Sequence, residues 1–129
     1  MKYLIDTHVF IWSLTDGTKL NAKTTEIVST QPIYVSTISL WEISIKYALG
    51  KLQLEGFSPE DIWKEAEKVG YKLLPFSANE AIGFYKLERL HKDVFDRMLI
   101  WQAIKNNMIL VSKDSKMQQY EKFGLDLTW

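Results

Sequence analysis

Five short apolar runs, each separated from the next by helix-patterned sequence, constrain this chain more than any other feature. They fall at residues 2–5, 33–35, 71–76, 108–111 and 125–129, and are rich in the β-branched and aromatic residues that strands favour. The run at 108–111 (Met108-Ile109-Leu110-Val111) is wholly apolar, which predicts a strand buried on both faces. Strands alternating with helices predict an α/β domain with a mainly parallel central sheet flanked by helices. In such sheets ligands sit beyond the carboxyl ends of the strands, so that edge is where functional residues are sought.

Capping signals mark the helices. Val9, Ile11, Trp12 and Leu14 suit a short helix ended by the Asp16-Gly17 turn, and Asn21 caps a helix over 22–29. A helix over 36–49 closes at Gly50. Ser58-Pro59-Glu60-Asp61 opens another, which runs to Val69 and ends at Gly70. Ser77-Ala78-Asn79-Glu80 has capping-box spacing and predicts a helix over 78–90. Further helices are expected over 95–106 and, briefly, 116–120.

At 129 residues, 47% of them hydrophobic, the chain is long and apolar enough to bury one core unaided, and a single domain over 1–129 is expected. The absence of cysteine excludes disulfides and thiolate-bound zinc. Asp6 and His8 break the apolar start, and no run reaches the length of a membrane span, so the sequence reads as soluble and cytoplasmic, with no membrane partner. Sixteen basic residues balance sixteen acidic ones, so any binding of nucleic acid must come from local arrangement rather than net charge.

Two predicted strands end in acid: Asp6 follows Ile5 directly, and Asp114 follows Val111-Ser112-Lys113. A carboxylate at the end of a buried strand is costly unless something compensates it, and a bound cation would. Glu42, early in the helix after the second strand, and Asp96, in the first turn of the helix entering the fourth, belong to the same edge by topology. Hard oxygen ligands at an open site suit Mg²⁺ or Mn²⁺. Local alternatives stand beside this reading. Ser39-x-x-Glu42 has capping-box spacing, Asp93 or Asp96 can serve the next helix start, Asp114 can cap the helix containing Met117, and Asp6 can cap residues 8–14.

Among neighbouring residues, Lys46 can pair with Glu42 one turn away or contact phosphate, and Arg97 can contact phosphate or a carboxylate. His8 is a possible substrate contact or helix-start residue, and His91 with Lys92 reads as a solvated loop. A phosphatase using Asp6 as a covalent nucleophile would need a second acid where His8 stands. A receiver domain would need an adjacent acidic pair near the N-terminus. With two histidines and no cysteine, zinc and a Ser-His-Asp triad are poor alternatives.

Taken in order, Tyr3-Leu4-Ile5-Asp6-Thr7-His8-Val9-Phe10-Ile11-Trp12, Ser36-Thr37-Ile38-Ser39-Leu40-Trp41-Glu42-Ile43, His91-Lys92-Asp93-Val94-Phe95-Asp96-Arg97-Met98-Leu99-Ile100 and Leu110-Val111-Ser112-Lys113-Asp114 resemble the motifs of PIN-domain ribonucleases, specifically the VapC-type toxins of toxin–antitoxin pairs. Val94 stands where that family commonly has proline. The resemblance implies a PIN-like three-layer sandwich and endonucleolytic cleavage of RNA by water activated by Mg²⁺ or Mn²⁺. It assigns Asp6, Glu42, Asp96 and Asp114 as the acidic quartet, with Asp6 and Asp96 as foremost metal ligands. Thr7 and Ser112 would orient the carboxylates, and Lys46 and Arg97 are candidate RNA contacts. It further implies a homodimer and a cognate antitoxin whose tail fills a groove that Trp12, Leu40 and Trp41 could line. A non-catalytic binding module of the same fold is the alternative.

Overall fold

The computed structural model describes residues 1–129 and contains a five-stranded sheet, six α-helices and three 3₁₀ segments. In chain order these are β1 (Tyr3–Ile5), α1 (Thr7–Leu14), a 3₁₀ turn (Gly17–Lys19), α2 (Ala22–Thr30), β2 (Ile33–Ser36), α3 (Thr37–Ala48), α4 (Pro59–Lys68), β3 (Lys72–Leu74), α5 (Ala78–Gly83), a 3₁₀ turn (Phe84–Lys86), α6 (Val94–Asn106), β4 (Ile109–Val111), a 3₁₀ segment (Ser115–Phe123) and β5 (Asp126–Thr128). The sheet order is β3-β2-β1-β4-β5 and every pairing is parallel.

Strand alternation divides the core into two layers. Leu4 and Leu110 face one side with Leu99, Ile100 and Ala103 of α6 and with Met117 and Tyr120 of the last 3₁₀ segment. Ile5 and Val111 face the other with Val9, Phe10, Ile43, Ile62 and Ala66 from α1, α3 and α4. The pleat sends successive side chains to opposite faces, so neighbouring residues of β1 and β4 serve different layers. Both strands are interior, as the apolar pattern predicts. No helix is long and apolar enough to cross a membrane.

The caps form where the sequence places them: Asn21, Ser58, Ser77 and Asp93 each accept a backbone N–H of the following helix, with reciprocal capping boxes at Ser58–Asp61 and Ser77–Glu80. α3 is capped by Ser36 rather than Ser39, which leaves the Glu42 side chain free of capping duty. One helix is shorter than its pattern suggests. The expected helix over 78–90 ends at Gly83, continues as the 3₁₀ turn and then unwinds. The physical reason lies far away in sequence. The buried Tyr120 hydroxyl accepts the N–H groups of Leu90 (2.8 Å) and His91 (3.0 Å) and donates to the Glu88 carbonyl (2.8 Å). Those three contacts satisfy a non-helical backbone that would otherwise be costly to bury.

Candidate metal centre

Strand order reverses between β1 and β4: the chain builds outward from β1 to β2 and β3, then crosses back to add β4 and β5 on the other side. The crevice beyond the carboxyl ends of these two strands is the topological switch point. Asp6 and Asp114 stand there because their strands run parallel in register, with Ile5 opposite Val111. The Asp6 N–H extends the ladder by donating to the Val111 carbonyl at 3.0 Å.

Each acid also starts a helix. Asp6 Oδ1 accepts the N–H of Val9 at 2.8 Å, and Asp114 Oδ1 accepts that of Lys116 at 2.9 Å. Asp96 is the third residue of α6, its N–H capped by Asp93 Oδ1 at 3.1 Å. Asp6 and Asp114 thus cap the segments that follow them, as the local reading of the sequence allows, while they stand at the crevice. A helix N-terminus aims its free N–H groups and positive dipole end at the crevice and suits carboxylates gathered there.

Asp6, Asp96 and Asp114 line one cavity of about 380 Å³ together with His8, Trp12, Lys113 and Lys116. The Asp96 carboxyl is pushed up to about 8, first by burial and then by the charges of Asp93, Asp6, Glu42 and Asp114. Asp6 is also raised: burial is the main cause and Glu42 adds to it, against lowering by Ser112, the Val9 N–H and His8. Burial acts on Asp114 in the same direction. There, hydrogen bonds from the His91 side chain and the Lys116 backbone, with the nearby Lys116 ammonium, outweigh it and hold the group below the usual carboxylate range.

Glu42 is buried behind this cavity, and both its oxygens are engaged. Thr7 Oγ1 lies 2.6 Å from Glu42 Oε1 and 2.9 Å from Ser39 Oγ. Having one hydroxyl proton, Thr7 donates to the carboxylate and accepts from Ser39. Lys46 pairs with Glu42 Oε2, the helical partnership that the spacing allows. Burial lowers the Lys46 ammonium, but the hydrogen bond and charge of Glu42, with Asp93 and Asp96, raise it overall.

Ser112 accepts the Asp114 N–H at 3.0 Å, and its side chain also lowers Asp6, so Thr7 and Ser112 both contact carboxylates. Arg97 makes no ion pair; its guanidinium lies over the Phe84 ring, 5.3 Å from the centroid, and it does not line the acidic cavity. Trp12, Leu40 and Trp41 occupy three separate places. Trp12 lines the acidic cavity, Leu40 lines a groove with Ile43 and Trp63, and the exposed Trp41 packs edge-on against Phe95.

His91 is the residue that sequence reasoning misplaced. Instead of lying in a solvated loop it is 8% exposed, while Lys92 beside it is exposed. Its Nε2 is 2.7 Å from Asp114 Oδ2 and 3.4 Å from Asp96 Oδ2. One local signal was available: a histidine two residues before a helix cap can accept the cap's N–H, as His91 Nδ1 does from Asp93 at 3.0 Å.

Ligand-type atoms of His91, Asp96 and Asp114 all lie within 4.8 Å of one another. Asp6 approaches across the same cavity. A carboxyl pushed up by burial and then by neighbouring acids marks uncompensated negative charge, and an oxygen-rich pocket of this kind fits a hard divalent cation.

Residues 3–123 match the family model described as the PIN domain. The comparison with curated proteins gives no match. Among solved structures, the chain resembles VapBC-1 from nontypeable Haemophilus influenzae (TM-score 0.71, 20% identity, 99% of this chain and 97% of that one). It also resembles VapBC2 from Rickettsia felis, solved bound to a DNA fragment from its promoter (TM-score 0.67, 18% identity, coverage 99% and 98%). A third resemblance is to a toxin–antitoxin complex from Klebsiella pneumoniae (TM-score 0.62, 14% identity, coverage 98% and 96%). At these identities the likeness is one of fold.

Proposed function

The chain belongs to the PIN-domain family, and from that premise we propose that it is a Mg²⁺- or Mn²⁺-dependent endoribonuclease acting as the toxin of a toxin–antitoxin pair. The observation that carries the proposal is the meeting of Asp6, Asp96 and Asp114 in one cavity at the switch point of the sheet, where burial and the neighbouring acids push the Asp96 carboxyl up. Acids gathered at such cost to the metal-free protein are explained by a cation that the reaction needs.

Asp6, Asp96 and Asp114 would hold the ion. When bound, it would supply Lewis acidity and lower the pKa of water enough to make it a nucleophile at neutral pH. The chain's own residues do the rest. Thr7 and Lys46 fix Glu42 behind the site, where its charge raises Asp96 and Asp6 and so strengthens their demand for a cation. Lys113 and Lys116, exposed on the cavity wall, would draw a phosphodiester backbone toward the acids despite the balanced net charge.

The partner and assembly follow the same premise. A cognate antitoxin would hold the toxin in check, as the pairing named for the structural neighbours suggests, and the toxin would act as a cytoplasmic homodimer. The test is cleavage of total cellular RNA by the purified protein with Mn²⁺, beside Asp6→Asn and an EDTA control. Discrete cuts confined to wild type with metal are expected. No cuts under conditions where Mn²⁺ binds would reject the nuclease and leave a PIN-fold binding module.

A further inference from the structure

We propose that His91 is a positioning residue: locked with its ring proton on Nε2, it holds the Asp114 carboxylate in place and does not itself bind the ion. The inference rests on the metal-centre reading above. At first sight the imidazole looks like a ligand, since its Nε2 lies among the oxygens of Asp96 and Asp114. The other nitrogen decides the matter.

His91 Nδ1 accepts the backbone N–H of Asp93 at 3.0 Å. A backbone amide can only donate, so Nδ1 presents a lone pair and the ring proton sits on Nε2. From there it donates to Asp114 Oδ2 at 2.7 Å, with Asp96 Oδ2 at 3.4 Å. To ligate through Nε2, the ring would have to carry its proton on Nδ1, against the Asp93 N–H. Two donors would then face each other in a part-buried place, leaving the amide without an acceptor.

The ring cannot easily be re-aimed. The His91 and Leu90 N–H groups are bound by the Tyr120 hydroxyl, whose side chain is fully buried. Asp93, whose N–H fixes the tautomer, also caps the first turn of α6 that carries Asp96. One segment therefore sets two carboxylates: Asp96 through the cap and Asp114 through the imidazole. Asp114 Oδ1 is occupied by the Lys116 N–H, so both oxygens of that carboxylate have a protein donor and each keeps a further lone pair for a cation.

The experiment uses the full-length protein with Mn²⁺ as probe, and three substitutions. His91→Gln can still present an N–H to Asp114; His91→Asn keeps an acceptor for the Asp93 N–H but falls short of Asp114; His91→Phe keeps only the ring volume. His91→Asn and His91→Phe are expected to weaken Mn²⁺ affinity, read by EPR titration, by about 10- to 100-fold, the usual loss when a group orienting a ligand is removed, while His91→Gln stays near wild type. Nitrogen NMR of the metal-free protein should show the Nε2–H tautomer at His91, and pulsed EPR of the Mn²⁺ complex should show no coordinated imidazole nitrogen. A coordinated nitrogen that disappears in His91→Phe, equal affinity in all three variants, or the Nδ1–H tautomer would overturn the proposal. Failure of wild type to bind Mn²⁺ would remove the metal-centre reading alone, and the tautomer would still decide for or against His91.

Discussion

Asp96 carries a large electrostatic cost at this site. Raising its carboxyl from 3.8 to about 8 corresponds, at about 1.4 kcal/mol per pH unit, to several kcal/mol; halving this for its partial exposure still leaves roughly 3 kcal/mol. The favourable dipole interaction of an acid in the first turn of a helix returns only about 0.3–1 kcal/mol. Burial and repulsion win, so Asp96→Asn is expected to raise the melting temperature of the metal-free protein at pH 8 while abolishing cleavage. A drop in melting temperature on that substitution, measured in EDTA, would mean that Asp96 is a structural acid. The same balance explains what was readable in the residues. Asp6 and Asp114 showed themselves because each follows a buried strand, and Glu42 and Asp96 followed from topology. His91 was signalled only by its spacing before the Asp93 cap, and its burial was not, because its backbone is fixed by the Tyr120 hydroxyl about thirty positions later.

At the scale of elements, sheet and helix starts were open to sequence reading because both depend on neighbours in the chain: alternation for the strands, side-chain caps for the helices. Where α5 ends was not, since residues 88–91 exchange helical hydrogen bonds for those of the Tyr120 hydroxyl. That hydroxyl should matter well beyond its size. Tyr120→Phe keeps the ring in the core but leaves the His91 N–H without a partner, at about 1–3 kcal/mol for a buried group left unsatisfied, while the Leu90 N–H and the Glu88 carbonyl keep only their contact with each other at 3.1 Å. We expect chemical denaturation to show a loss of that order and amide exchange to rise first at Leu90 and His91. Mn²⁺ affinity should fall with it, because the segment that Tyr120 fixes carries the imidazole on Asp114. A Tyr120→Phe variant with unchanged exchange at these two amides would show that the loop holds its shape by packing alone.

Over the whole molecule, a net charge of zero conceals acids concentrated at one sheet edge, and that concentration governs how stability responds to pH. Asp96 and Asp6 titrate higher in the folded chain than in the unfolded one. Between pH 4 and about 8 the native state therefore binds more protons than the unfolded state, and stability falls as pH rises. Asp114, Asp16 and Asp61 are shifted the other way, so their contribution is lost only on acidification below the ordinary carboxylate range and does not offset the fall in this window. Metal-free protein should thus melt at a higher temperature at pH 5 than at pH 8. A divalent cation reverses the trend, because it favours ionised carboxylates and must displace the Asp96 proton. Stabilisation by Mn²⁺ at a hundred times its dissociation constant is about 2.7 kcal/mol, and the dissociation constant itself should tighten as pH approaches 8. Melting curves in EDTA and in Mn²⁺ should therefore converge at pH 5 and separate at pH 8, with proton release on binding at neutral pH measurable by calorimetry in buffers of different ionisation enthalpy. Parallel curves across this range, with no proton released, would mean that the acids at the switch point do not share a cation.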